Sequence, residues 1–489
     1  MAKLFVFGIG GTGSRVIKSL SMLLASGVDM GTNINEIVPI IIDIDKGNQD
    51  LTRTVEILKN YETLYNTVAS KPNYKGFFQT KQTNLYPTAG KEYRLTFPNV
   101  DGKTFGRYID ASTLRGQNCD MIDLLFSGSF NDNGVEKSLL EMDMSVGFQG
   151  NPKLGCVVLD QFKGNPDFNT FAEKYDHGKG DRIFIISSIH GGTGAAGFPL
   201  LLKNIRHAEL PTPNPALLKQ ALVGAVTVLP YFDLQVGDIN SADFISKTKA
   251  ALQYYEKNVN PYLNSMYYIG NTSNKSYQNN KGGVTQQNDA HFIEVAAAMS
   301  IIDFAKQSDV DIAPQGNRFL EYGVNDFSTN IDFSVLGKAS NDMIEFPLSK
   351  YYFFNRYLKQ RLSKSINKKQ QWTVRSNPRI TIDFTVATSG FYQILNKFNL
   401  RFDEWLNELK NNKPQFTPFI DDAELMDSIS NRPSRKSNIV AGLFSSKNYD
   451  LMDGYLNEIE KDLPTLPIEQ KFNELFNTAT SKILTEKYN

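Results

Sequence analysis

Two glycine-rich loops, each behind a run of β-forming residues, carry the strongest chemical signal in this sequence. The first, Gly8-Ile9-Gly10-Gly11-Thr12-Gly13-Ser14, follows Leu4-Phe5-Val6-Phe7. The second, Gly191-Gly192-Thr193-Gly194-Ala195-Ala196-Gly197, follows Ile183-Phe184-Ile185-Ile186-Ser187-Ser188. A glycine turn between a strand and a helix lets backbone N–H groups face an anion, and the helix N-terminus adds about half a positive charge. Glycine is needed because a Cβ would block close approach or forbid positive φ. The plainer reading of either loop is a tight turn without a ligand. Together, the two strand–loop–helix units suggest phosphates held between two backbone cradles. Neither is a Walker A loop, which needs Gly-Lys-Ser/Thr to set a lysine on the outer phosphates. Here Gly13 is followed by Ser14 and Arg15.

An acid-tipped segment, Asp43-Ile44-Asp45, ends the second apolar run. Either acid could cap the next turn. An acid at that end of a strand, beside a phosphate site, also suits a metal, and Asp45 is the expected metal-shell residue. Mg²⁺ usually takes one or two carboxylates and fills its shell with phosphate oxygens and water. The first loop also fits a dinucleotide-binding spacing loosely, with the acids facing a ribose. That scheme leaves the second loop unexplained.

These residues need a scaffold. With 489 residues, 41% apolar and 21% charged, the chain reads as globular with two or three domains. Its 52 basic and 52 acidic residues balance, so no charge excess points to nucleic acid. Cys119 and Cys156 are the only cysteines, too few for a disulfide framework or structural zinc site, and four histidines leave little room for a three-histidine metal site. No apolar run reaches the roughly 18 residues of a spanning helix. The N-terminus enters a strand without a charged leader, and the expected location is cytoplasmic.

Continuous apolar runs predict buried parallel strands over 3–8, 38–44, 182–188, 221–229 and 266–269. A further strand is expected over 142–146. Helices are expected after each glycine loop and over 153–163, 239–257 and 289–307. Alternating strands and helices predict a doubly wound α/β domain over about 1–308. Residues 52–135, dense in Tyr, Asn and Lys, read as an insertion with short helices, one near 111–126. The remainder, 309–489, reads as a second, mostly helical domain. It should hold extended segments over 319–333 around a turn at Asn325-Asp326, helices over 346–366, 391–411 and 447–462, and one half-buried strand over 380–388. The polar stretch 428–438 is expected to be mobile.

At these positions the sequence resembles the tubulin/FtsZ superfamily, and most of all its divergent bacterial tubulin-like members. Gly191-Gly192-Thr193-Gly194, with Pro199 beyond, is similar to the signature loop Gly-Gly-Gly-Thr-Gly-[Thr/Ser]-Gly. His190 replaces its first glycine, and Ala196 the glycine after its sixth position. Gly10-Gly11-Thr12-Gly13, with Ser14 after it, resembles the first phosphate loop, Asp43-Ile44-Asp45 the second, and Gly147-Phe148-Gln149-Gly150-Asn151-Pro152 the third. Val223-Gly224-Ala225-Val226-Thr227, with Pro230 and Asp233 beyond, resembles the strand and sugar-binding fifth loop. Tyr268-Ile269-Gly270-Asn271 resembles the sixth. The matches fall in the right order over about 1–308.

The resemblance implies GTP or GDP with Mg²⁺, and a base near the start of the helix at 289, where Asn288, Asp289, His291 and Phe292 are candidates. Asn288 and Asp289 read equally as a helix cap, and His291 as a core histidine. It also implies head-to-tail self-association, in which an acid from one subunit completes a neighbour's site. Asn330-Ile331-Asp332-Phe333 resembles the loop that carries that acid, although Val335 replaces a second acid there. Otherwise Asp332 is a solvent-facing residue of an ordinary strand. The divergent C-terminal region offers a surface for protein partners. Alternatives from other classes stand beside this reading. One is an adenylating enzyme of the ThiF kind, echoed by Gly8–Ser14, Asp43, Asp45, Asn48 and Arg53. Another is a nicotinamide-dependent enzyme, and a third a scaffold that binds nucleotide without hydrolysis.

Overall fold

Along the first strand, Leu4 and Val6 join one apolar cluster while Phe5, Phe7 and Ile9 join another, and all five are fully buried. A strand buried on both faces belongs inside a sheet covered by helices on both sides. The computed structural model describes residues 1–69, 74–98, 100–126, 138–148, 150–231, 233–234, 241–271, 276–277, 283, 287–316, 318–321, 330–375, 377–386, 390–422, 424–432 and 448–488. It has that architecture, an α/β fold on a parallel sheet with a helical C-terminal region.

The main strands are β1 (Lys3–Ile9), β2 (Glu36–Ile42), β3 (Arg182–Ser188), β4 (Leu222–Val228), β5 (Ser265–Ile269) and β6 (Phe319–Glu321). They lie in the order β6-β5-β4-β3-β1-β2, and every pairing is parallel. The short strands Lys81–Gln82 and Arg94–Leu95 extend the β2 edge. β1 sits between β2 and β3, so the strand order reverses there. In such sheets, ligands bind beyond the carboxyl ends of the strands at that point.

One face carries α1 (Gly10–Ala25), α2 (Gln49–Val68) and α5 (Phe292–Lys306), whose buried side chains join the Leu4/Val6 cluster. The other carries α3 (Gly192–Arg206), α4 (Ser241–Asn258) and the helices Pro152–Val158 and Pro166–Lys174. The C-terminal helices α6 (Lys338–Gln360), α7 (Phe391–Asn411), α8 (Asn448–Asp462) and α9 (Ile468–Tyr488) pack outside α1 and α2. Their apolar residues, Phe402, Trp405 and Phe476 among them, belong to the same cluster as Leu4 and Val6. Residues on both sides of the expected boundary at 308/309 thus share this cluster, and β6, beyond it, pairs with β5. Among the described residues no helix is long and apolar enough to cross a membrane.

Several expected elements differ. Residues 380–388 were expected as a strand, but Ile382–Val386 is a short helix. That segment lies against Phe391 and Phe472, on α7 and α9, and among the described residues no strand pairs with it, so its backbone must satisfy itself. Residues 142–146 form one 3-10 turn, Met144–Val146, because the Asp143 carboxylate accepts the Ser145 N–H at 2.8 Å. The expected insertion opens with the 20-residue α2. Its period was hidden because Tyr61 is a core residue and Asp50 and Thr54 are buried polar ones. The long helix α9 gave no sequence signal that was read. The expected turn at Asn325-Asp326, Gln149, and most of the polar stretch 428–438 lie outside the described residues.

Candidate functional site

β1 ends at Ile9, and the chain turns directly into α1 through Gly10, which has φ +70°. A Cβ there would be strained, and it would lie 3.4 Å from the Thr193 Cβ and 3.8 Å from the Gly194 N. The two glycine loops thus sit side by side at the reversal point of the sheet. The third loop closes the other flank. A Cβ on Gly192 would meet Phe148 Cβ at 2.9 Å and the N atoms of Gly150 and Asn151 at 3.1 Å. A Cβ on Gly147 would lie 3.8 Å from Asp45 Cβ, which brings in the second loop.

The helix starts at this end differ in a telling way. α2 is capped by Asn48, whose side chain accepts the Asp50 N–H, and α5 by His291 in a capping box with Glu294. α1 and α3 have no side-chain cap and no acid in the first turn. Their first turns therefore meet no capping side chain at the place where the two loops touch.

Around this cradle lies a buried charge network. Arg15 donates to Glu294 Oε1 (2.5 Å), Asp50 Oδ2 (2.7 Å), the Tyr231 hydroxyl (3.1 Å) and, more distantly, Thr12 Oγ1 (3.4 Å). Burial alone would raise Asp50, but Arg15 and two hydrogen bonds from Asn288 outweigh it and hold the carboxyl below its usual range. Burial wins at Glu294, which is raised against the pull of Arg15 and Lys18. The Tyr231 ring lies tilted against His291, with centroids 4.7 Å apart, and edge-on to His190 at 6.2 Å. Enclosure, with the Arg15 charge, pushes His190 down to about 4, so this substitute for glycine is a neutral ring at neutral pH.

Asp43 accepts the Asp45 N–H at 3.1 Å and the Asn48 side chain at 3.3 Å. Burial, with Asp45 beside it, raises Asp43 to about 7. Asp45 uses both oxygens on backbone N–H groups, those of Gly47 (3.0 Å) and Gly283 (2.7 Å). Asp43 and Asp45, the expected metal residue, thus each have both oxygens engaged by protein donors. Among the described residues no group of three metal-ligating side chains gathers.

The base-side candidates are largely engaged by the protein. Asn288 donates its N–H and side chain to Asp50 at 3.0 and 2.9 Å. Phe292 is 4% exposed and packs on Phe416. His291 accepts the Ile293 N–H on Nδ1 (3.1 Å), and its Nε2 lies 2.7 Å from the Lys413 carbonyl, which fixes the proton on Nε2. Asp289 is exposed. Ser14 donates back to Gly10 O, inside its helix. Pro230 and Asn271 follow β4 and β5 and are partly exposed. Asp233 lies in a two-residue strand, Asp233–Leu234, paired with Ser276–Tyr277.

Asn330 and Asp332 do not fit the expected catalytic loop. Asp332 is 4% exposed. One oxygen accepts the Ser334 N–H and hydroxyl, and the other accepts from Asn431. Nor does Asp332 face solvent, as the strand alternative expected. Its neighbour Phe333 packs on Phe416, which packs on Phe292 at the start of α5. Asp332 therefore lies toward the glycine-loop end of α5. Asn330 is exposed and accepts from Thr417.

Sequence reasoning did not single out Arg15, Tyr231, Glu294 or Glu408. One signal was available, since Glu294 is the only charged residue between Phe292 and Ile302.

No family model matches the sequence, and no curated protein does. Several solved structures are similar, three of them as follows. CetZ2 from Haloferax volcanii, a GTPγS-bound protofilament, has 13% identity and TM-score 0.26 over 63% of this chain. A GTPγS-form protofilament of TubZ from Bacillus thuringiensis serovar israelensis has 15% identity and TM-score 0.24 over 64%. A helical two-stranded filament of TubZ-Bt has 14% identity and TM-score 0.24 over 64%. The chain spans 58%, 56% and 54% of the lengths of these structures.

Proposed function

We propose that this chain binds a guanine nucleotide, GTP or GDP with Mg²⁺, and self-associates head to tail in the manner of tubulin and FtsZ. The phosphates would lie between Gly10–Ser14 and Gly191–Gly194, with Asp43 and Asp45 toward the metal. The observation that carries this reading is the contact between Gly10 and Thr193, where two uncapped, acid-free helix N-termini open onto one point. Bound Mg²⁺ would neutralise phosphate charge. The chain's own residues would orient the phosphates through backbone N–H groups and exclude water from one side through Tyr231 and His291.

The acid that completes a neighbour's site is assigned here to the segment after α5. Arg182, the first residue of β3, donates to the Phe304 carbonyl and to Asp309. The end of α5 therefore lies at the amino ends of the strands, about 20 Å from the glycine loops by the length of the seven-residue β3. Asp309 and Asp311 are exposed there, and Asp311 is the less committed because Asp309 pairs with Arg182 at 2.6 Å.

The adenylating and dinucleotide readings are weaker. Arg53 is spent on Asp50, Glu408 and the Asn288 carbonyl, and both Asp43 oxygens are engaged within their own loop. Thermal stability with GTP, ATP and NAD, each with Mg²⁺, tests the choice. A ligand at 100 times its Kd adds about 2.7 kcal/mol. A rise with GTP alone supports the proposal, and a rise with ATP or NAD instead overturns it.

A further inference from the structure

The end of α7 grips the loop that precedes α5. Glu408 accepts from Lys18 on α1 (2.9 Å), from Arg53 on α2 (2.5 Å) and from the Ala290 N–H (2.9 Å). Four residues on, Asn412 is 1% exposed and donates to the Ala290 carbonyl at 3.0 Å. The Lys413 carbonyl takes the His291 Nε2 proton, and Phe416 packs on Phe292 at 5.1 Å. Every residue from Ala290 to Phe292 is thus tied to the stretch 408–416, which comes from the C-terminal region.

A single glutamate shared among two helices and a loop is an expensive arrangement. Burial alone would raise its carboxyl, and Lys18 and Arg53 outweigh that and hold it low. A buried ion network is weak evidence of added stability, and one use of such a network is to fix a geometry. Here the geometry specified is that of Ala290–Phe292, since Lys18 and Arg53 sit on helices that core packing already fixes. Arg53 in turn donates to the Asn288 carbonyl at 2.9 Å, so the same network reaches the loop from both ends.

We infer that Glu408 and Asn412 are positioning residues that hold the loop 288–292, and with it the exposed Asp289, against the base of the bound nucleotide, so that the C-terminal region sets base recognition and leaves phosphate binding to the glycine loops. The inference rests on the nucleotide reading above. It separates two parts of one ligand. Pyrophosphate needs only the cradle between α1 and α3, whereas GDP needs the cradle and the loop.

The test is isothermal titration of GDP and of pyrophosphate, each with Mg²⁺, into the full chain and into Glu408→Gln and Asn412→Ala. Both variants are expected to weaken GDP about tenfold and leave pyrophosphate unchanged. Asn412→Ala leaves no buried charge unpaired, so it reports even if Glu408→Gln does not fold. A merely structural role would shift both ligands together. Equal factors for GDP and pyrophosphate, or no change in a folded variant, overturn the inference. Pyrophosphate and GDP binding equally well to the wild type overturns it too. Failure of the wild type to bind either ligand overturns the nucleotide reading itself, and this inference with it.

Discussion

A Cβ on Gly10 would lie 3.4 Å from the Cβ of Thr193, so the loops that end β1 and β3 touch. Anything that spreads them should abolish phosphate binding. The double variant Gly192→Val with Thr193→Ala places a branched side chain where a single Cβ already meets Phe148 at 2.9 Å. The GTP-dependent rise in melting temperature should disappear, while circular dichroism of the apo protein stays native. Unchanged GTP affinity in that variant would reduce both loops to plain turns.

His190 and Asp43 should act on stability in opposite directions over almost one pH window. His190 falls to about 4 in the folded chain, so between about 4 and 6.5 the unfolded chain binds the extra proton and stability rises with pH. Asp43 rises from 3.8 to about 7, so between those values the folded chain binds the extra proton and stability falls with pH. Each slope is at most about 1.4 kcal/mol per pH unit. Urea titrations from pH 4 to 8 without divalent cations should show Asp43→Asn gaining stability relative to wild type as pH rises. His190→Gln should lose it. Parallel curves for all three proteins would show that neither group is enclosed as described.

Asp332 and Asp311 make opposite predictions. Asp332→Ala removes a buried carboxylate and leaves the Ser334 and Asn431 donors without their acceptor, so it should cost about 1–3 kcal/mol of stability and spare turnover per folded subunit. Asp311→Ala removes an exposed side chain, so it should leave stability within about 0.5 kcal/mol and abolish GTP turnover. Wild-type turnover per subunit should also rise with protein concentration if, as proposed, one copy completes the site of another. Normal turnover by Asp311→Ala would remove the acid from this segment.

The sheet was legible because buried parallel strands are written as unbroken apolar runs, such as Ile183 to Ile186 between the two cores. The glycine loops were legible because each interrupts such a run. What escaped was set by tertiary partners. Tyr61 looks like a surface residue in sequence, yet it packs edge-on to Phe78 and donates to the Thr80 carbonyl. Ile382 and Val386 alternate like strand residues, but among the described residues no strand pairs with their segment. Asp332 lies in a short motif that resembles a catalytic loop, and only the fold shows which end of α5 it faces. The network around Arg15 joins residues from α1, α2, α5 and α7, which no local pattern connects.

That network supplies the sharpest test of the site's architecture. Arg15 is 5% exposed and gives its donors to Glu294, Asp50, Tyr231 and Thr12. Arg15→Met should cost about 3–5 kcal/mol, because it leaves buried carboxylates facing one another across an apolar side chain. Asp50 keeps Arg53 and both Asn288 donors, so most of the cost should fall on Glu294, whose other hydrogen bond is from the His291 N–H. Adding Glu294→Gln removes that stranded charge, so the double variant should be more stable than Arg15→Met alone. A coupling energy above about 1 kcal/mol in a urea double-mutant cycle would mark the pair as one unit. Additive losses would instead mean that Arg15 is held mainly by Asp50, and that the start of α5 is fixed to the first glycine loop by packing rather than by charge.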